Sequence, residues 1–460
     1  MTQAATKSSP HRRPAEIWRR GVAVLALLCG GTAAAQQPPG YDPDRDSTVA
    51  ADRAELERAM RDAARELGYG DPGFAIRFVG KGAVFEGPVP REDAGPAEGP
   101  GDRAAPAVGA VRAFNPRSRN EFEIELDRET LRHLGAAARR LGIDRGRAGP
   151  GAGEPFTDPA DRAPRYQRET PDGAFLGQGR LPLQLAAWSN NSDDRVRFTP
   201  LNQQPVGWPR RAIVHFDNNC SGTLIGPRHV LTAGHCIWSR TNAAWASGFT
   251  LTPGRAGANF AFDQVTFPSA GFNWYFTPAE WRQTSPAGGS RQYDFGILVI
   301  PERLGLATGW MGWWIEGSAT INDHTIRNRG YPWCNAVDAA GNPRIDDPGD
   351  PGSDAETCRP NHQYGDENEC QLGNFSATDP DGWRRLVDHS CDASAGQSGS
   401  PLFLFPTPDV PAVTAVHVAS LCGTTAGDTR CTATDDMPLR AVRITPEYGD
   451  IIAFFRMWQP

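Results

Sequence analysis

The spacing of apolar residues changes several times along the chain. From Thr48 the positions Leu56, Met60, Ala63 and Leu67 recur at helical intervals and stop before Gly68 and Gly70, which predicts one amphipathic helix. Phe74, Ile76 and Phe78 then alternate as in a strand. After a Pro-, Gly- and Ala-rich stretch near 87–108, a second strand through Phe122, Ile124 and Leu126 leads into a helix with Leu131, Leu134, Ala138 and Leu141 on its apolar side. Residues 146–189 lose all periodicity and are rich in Gly, Pro, Asp and Arg. Such a segment buries too little apolar surface to offset its ordering entropy, so it reads as an exposed linker. Beyond Gly207 short β-rich runs at 212–216, 229–231, 295–300 and 412–418 alternate with Gly, Pro and Asn turns, a barrel-like pattern. Thr445 and Pro446 then form the cap and first turn expected of a short closing helix, with Ile451, Ile452, Phe454 and Phe455 as its apolar residues.

Composition supports an all-β reading. The 460 residues include 50 Gly and 40 Pro, which suits short strands and many turns better than a helical bundle. A net charge of −7 without a basic block argues against nucleic acid as a partner. Arg12, Arg13, Arg19 and Arg20 precede the apolar run 22–28, and Ala33, Ala34 and Ala35 supply small residues for cleavage, so residues 1–35 are expected to be an export signal. That run is too short for the roughly 30 Å core of a bilayer. The mature protein is therefore expected to be a secreted (extracellular or periplasmic) soluble monomer that does not engage the membrane after signal removal. Leu28 before Cys29 is larger than lipid-attachment signals favour.

Of nine cysteines, Cys29 leaves with the signal, and the remaining even number suits disulfides in an oxidising compartment. Local spacing suggests Cys220 with Cys236, Cys422 with Cys431, Cys358 with Cys370 and Cys334 with Cys391. No C-x-x-C or H-x-x-x-H spacing accompanies them, so no metal is expected.

Three short motifs carry chemistry. Serine is a poor nucleophile near neutral pH and needs an imidazole base, a carboxylate to orient it and donors for an oxyanion. The run Val-Leu-Thr-Ala-Gly-His-Cys at 230–236 supplies His235 beside a cysteine that can bridge to Cys220. Tyr-Asp-Phe-Gly-Ile-Leu-Val-Ile at 293–300 places Asp294 at the mouth of an apolar strand. Gly-Gln-Ser-Gly-Ser-Pro at 396–401 sets Ser398 in a glycine-flanked turn where the N–H groups of Gly396 and Ser398 can share one hole. The nucleophile elbow of α/β-hydrolases is excluded, because position 400 is Ser and the histidine precedes the serine.

Through these motifs, in the order histidine, aspartate, serine, the chain resembles the chymotrypsin-like serine peptidases over about the last 250 residues. Arg-Ala-Ile-Val-His at 211–215, Gly-Tyr-Pro at 330–332 and Ser400-Pro401 are most similar to the bacterial glutamyl endopeptidase branch. The resemblance implies two six-stranded antiparallel β-barrels, roughly 206–303 and 310–445, with a cleft between them and a C-terminal helix. It implies His235 as general base and acid, Asp294 as its orienter and Ser398 as nucleophile, acting on protein or peptide substrates without a cofactor. The layout is then signal 1–35, a small α+β region 36–145 that is either a propeptide or a permanent accessory unit, linker 146–189 and protease domain 190–460. Gln397 stands where animal trypsins carry the aspartate that pairs with a freed N-terminus, so that activation switch cannot operate here in that form.

Specificity is open between two residues. Asp392 has the spacing from Ser398 at which trypsins place the acid that receives Lys or Arg. His417 matches the histidine that helps glutamyl endopeptidases bind an acidic side chain, and the expectation leans to Glu. His215 and His389 are expected to be structural. An inactive protease-fold binding module is the remaining alternative.

Overall fold

The computed structural model describes residues 42–43, 45–89, 106–148, 195–198, 207–258, 260–266, 268–283, 291–332, 336–337, 343–344, 361–366, 370–393, 396–407, 410–420 and 439–458. All belong to one compact unit. The predicted signal, nearly all of the predicted linker, and Cys29, Cys334, Cys358, Cys422 and Cys431 lie outside them.

The architecture is mostly β with few helices. One ten-stranded sheet runs in the spatial order Ile76–Lys81, Asn120–Glu125, Ala110–Phe114, Trp274–Pro278, Gly296–Val299, His229–Thr232, Cys220–Leu224, Ile213–Phe216, Thr250–Pro253, Val265–Thr266. A nine-stranded sheet is built mainly from Leu372–Thr378, Arg384–His389, Leu439–Arg443, Val410–Ser420, Pro401–Thr407 and Arg327–Gly330. Among the described residues neither order closes on itself, whereas two six-stranded barrels were expected. The reason on the first sheet is visible in the register. Trp274–Pro278 pairs on one side with Gly296–Val299 and on the other with Ala110–Phe114, so an N-terminal strand takes that edge.

The helices begin where polar caps allow. Asp46 Oδ1 accepts from the Thr48 N–H at 2.9 Å and opens helix Ser47–Glu66, whose buried residues include Leu56, Met60 and Ala63. Gly68 follows with φ 73°, the left-handed conformation a helix end favours. Asp127 caps Arg128–Arg140 through Thr130 N–H at 2.8 Å. Leu141, expected on the apolar side of this helix, falls just past its end and is 60% exposed. Thr445 caps Pro446–Arg456, which buries Ile451, Ile452, Phe454 and Phe455. Phe276 meets Phe455 at 4.2 Å and Phe74 meets Phe454 at 5.3 Å, so this closing helix joins the sheet to the N-terminal region.

The strand Ala110–Phe114 has no counterpart in the pattern reading, because its apolar alternation spans only Val111, Ala113 and Phe114 beside a Gly- and Pro-rich stretch.

Cys220–Cys236 forms as expected, with Cα atoms 6.0 Å apart. Cys370 and Cys391 pair with each other, which overturns the expected Cys358–Cys370 and Cys334–Cys391 bridges. The cause is the antiparallel register. Leu372 lies opposite His389, so Cys370 and Cys391 meet where Leu372–Thr378 and Arg384–His389 run together.

Candidate active site

The structure brings the histidine and aspartate motifs into direct contact. Strand His229–Thr232 ends in a tight 3₁₀ turn, Gly234–Cys236, and its disulfide partner Cys220 begins the neighbouring strand, so the chain carrying His235 is tied at both ends. Gly234 permits this, since a Cβ there would lie 2.9 Å from Phe295 N and 3.2 Å from Asp294 Oδ1. Asp294 sits between the turn Arg291–Tyr293 and strand Gly296–Val299. Its Oδ1 accepts the His235 backbone N–H at 2.8 Å and its Oδ2 lies 2.8 Å from His235 Nδ1. Both residues are fully buried.

An ionised carboxylate at Oδ2 makes Nδ1 the protonated nitrogen and leaves Nε2 with its lone pair. Nε2 is buried and has no hydrogen-bond partner among the described residues. Arg291 Nη1 donates to the same Oδ2 at 3.2 Å. Burial alone would push the Asp294 carboxyl up. The charge and hydrogen bonds of His235, together with the Arg291 guanidinium, outweigh it and hold the carboxyl below its ordinary value.

The serine motif is packed against these strands. Ser398 is 4% exposed, and its carbonyl accepts the Ser221 N–H at 2.8 Å. Gly396 and Gly399 take φ 92° and 85° on either side of it. A Cβ at Gly399 would fall 2.1 Å from Ser221 O and 2.2 Å from Thr232 Oγ1, so the turn presses on the two strands that carry His235. Ser221, inside Cys-Ser-Gly at 220–222, is the fastener. Its Oγ donates to Gly396 O at 2.9 Å and accepts from Tyr331 N–H at 2.9 Å, while its carbonyl accepts from Thr232 Oγ1 at 2.7 Å. Neither Ser221 nor Arg291 carried a sequence signal, because their partners lie elsewhere in the chain or depend on the turn geometry.

His417 lies in the strand that brackets the serine turn. Its carbonyl accepts the Gly399 N–H at 2.8 Å and its N–H donates to Ser400 O at 3.0 Å. Its Nδ1 lies 3.0 Å from Nε2 of buried His389, whose pKa is driven well down by burial and by His417. Asp392 follows Cys391 and is 3% exposed. His215 packs edge-on to Tyr331 and its Nδ1 lies 3.1 Å from Arg255 Nη1; burial and that guanidinium lower its pKa to about 3, which makes it a neutral structural group. Cys220, His235 and Cys236 place metal-ligand atoms close together, but the sulfurs are joined to each other.

Residues 220–407 match the trypsin-like peptidase domain family. The chain is 34% identical over 144 residues to a glutamyl endopeptidase of Bacillus licheniformis, covering 31% of this chain and 41% of that protein. It is 26% identical over 173 residues to an extracellular metalloprotease of Bacillus subtilis, covering 36% and 52%. The chain thus spans about half the length, or less, of these curated relatives. A solved Glu endopeptidase in complex with MPD aligns with 57% of this chain and 96% of that one at 18% identity and a TM-score of 0.40. All three motifs lie inside the matched stretch, which is similar to the trypsin-like peptidase domain and, through the Bacillus licheniformis relative, to the bacterial glutamyl endopeptidases.

Proposed function

We propose that this protein is a secreted serine endopeptidase that uses Ser398, His235 and Asp294 as a triad and cleaves after glutamate. The observation that carries the reading is the buried His235–Asp294 pair, with its oriented imidazole and an unpartnered Nε2 on the strands that hold the Ser398 turn.

In this reading Ser398 Oγ attacks the scissile carbonyl while His235 Nε2 takes its proton, and Asp294 stabilises the imidazolium. The oxyanion is received by the N–H groups of Gly396 and Ser398. The C–N bond breaks as Nε2 returns the proton to the leaving amine. Water, deprotonated by the same nitrogen, then releases the acid from Ser398. The export signal at 1–35 supports secretion, and residues 190–460 are assigned as the protease domain.

His417 supports the glutamate preference. Its backbone is laddered to Gly399 and Ser400, one and two residues beyond the nucleophile, and its ring is held by His389. The test is a fluorophosphonate adduct on Ser398 of the secreted protein, lost in Ser398→Ala, with a peptide library read in parallel. Absence of the adduct would favour an inactive binding module. Cleavage after Lys or Arg would transfer specificity to Asp392.

A further inference from the structure

We infer that residues 42–148 are a permanent part of the working molecule, which completes the first sheet and positions Asp294, and are not a removable propeptide. The positioning half of this inference rests on the peptidase reading above.

The contacts are those of a core. Ala110–Phe114 pairs with Trp274–Pro278 from Phe114 opposite Tyr275 to Val111 opposite Pro278. Without it, Trp274–Pro278 would present an unpaired and strongly apolar edge. Phe114 is fully buried and stacks on Trp245 at 4.9 Å, and Val84–Phe85 pairs with Ala244–Ala246. Glu121 is buried between Trp245 Nε1 at 3.1 Å and the Arg282 guanidinium. Trp274 Nε1 donates to Glu55 at 2.9 Å. Removing residues 42–148 would leave Arg282, which is itself buried, without this carboxylate partner, a costly state for an interior cation.

A second set of bonds leads to the catalytic carboxylate. Pro106 O accepts from Tyr293 Oη at 2.7 Å and from Arg385 Nη1 at 2.6 Å, and Tyr293 immediately precedes Asp294. Val108 N–H donates to Glu447 at 2.9 Å, and Glu447 also binds Arg385. Thr277, opposite Arg112 in the strand pair, donates through Oγ1 to Phe295 O at 2.9 Å, the residue just after Asp294. The N-terminal region therefore holds the Tyr293 side chain directly on one side of Asp294 and, on the other, pairs with the strand whose Thr277 binds Phe295 O. A displaced Asp294 would misorient the imidazole and slow chemistry without touching the substrate pocket.

The test has two arms on the full chain. First, the secreted protein is purified by native size exclusion and its mass read before and after denaturation. Residues 42–148 are expected in the folded species, covalently or as a second polypeptide released only by denaturant. A folded species lacking them overturns the proposal, whatever its reactivity, whereas a species that retains them but fails to react with fluorophosphonate upholds permanence and removes the peptidase reading. Second, Tyr293→Phe deletes the bond to Pro106 O and the hydroxyl's contact with Arg385, which stays bonded to Pro106 O and Glu447. The expected result is roughly tenfold lower kcat per fluorophosphonate-titrated site with KM unchanged. A variant with unchanged kcat per site and only a lower melting temperature would overturn the positioning role.

Discussion

Two side chains outside the recognisable motifs control the candidate site. Arg291 donates to the same Asp294 Oδ2 that faces His235 Nδ1, so its positive charge helps keep the orienting carboxylate ionised. Replacing it with Gln is expected to lower kcat/KM severalfold at fixed pH, measured with a fixed peptide substrate, because the carboxylate that orients the imidazole loses a donor and a neighbouring charge. An unchanged kcat/KM would show that the two bonds from His235 hold Asp294 without help from Arg291. Ser221→Ala removes both partners of two buried backbone groups, Tyr331 N–H and Gly396 O. Leaving them unsatisfied is expected to cost about 2 kcal/mol in denaturant unfolding, with a lower rate of labelling at Ser398 because Gly396 loses its anchor. His235, Asp294 and Ser398 were legible because each is embedded in a local string with its own strand or turn. Ser221 and Arg291 were not, since serine and arginine are common and only contact with Gly396, Tyr331 and Asp294 marks them.

Helix Arg128–Arg140 and the closing helix Pro446–Arg456 meet through a glycine. A Cβ on Gly135 would lie 1.9 Å from Asp450 Oδ1 and 2.9 Å from Asp450 Cβ, which is anchored to the opposite helix. Helix propensity alone would favour replacing this glycine with alanine by about 1 kcal/mol. Overpacking typically costs about 1–3 kcal/mol, and here the same wedge would break the Arg139–Asp450 ion pair at 2.5 Å. Gly135→Ala is therefore expected to be destabilising, seen as a lower melting temperature, and a rise would show that the helices can separate freely. The helices themselves followed from caps and apolar spacing, which are local. Strand Ala110–Phe114 did not, because it becomes a strand only by pairing with residues about 165 positions later. The Cys370–Cys391 bridge likewise depends on strand register, which cysteine spacing does not contain.

Acidic groups are concentrated where the N-terminal region meets the rest of the molecule, and burial raises them. Asp450 faces Arg139 and Arg132 and is pushed up to about 6, while Glu447, facing Arg385 and Arg128, and Glu280, bonded to Gly109 N–H, are also raised. A folded-state pKa above the unfolded value means that the folded protein binds more protons between about pH 4 and pH 6. Stability should accordingly fall as pH rises through that window and level off above it. Asp294 has the opposite sign, and its contribution is lost as pH falls below its ordinary range. Asp450→Asn is expected to flatten the upper part of the profile, removing about 1 kcal/mol of the difference between pH 5 and pH 7 in denaturant unfolding. An unchanged slope would assign the effect to Glu447 and Glu280.

The class of the fold, the helices with their caps, the three candidate-site motifs and their order all follow from neighbours in the chain, since alternation, capping and glycine-flanked turns are properties of short segments. The edge occupied by Ala110–Phe114, the Cys370–Cys391 pairing, the junction of Ser221 with the serine turn and the bonds from Pro106 to the Asp294 segment were decided only by the tertiary structure. Each of these joins residues that no local pattern relates, because register and burial arise only once the sheets are assembled.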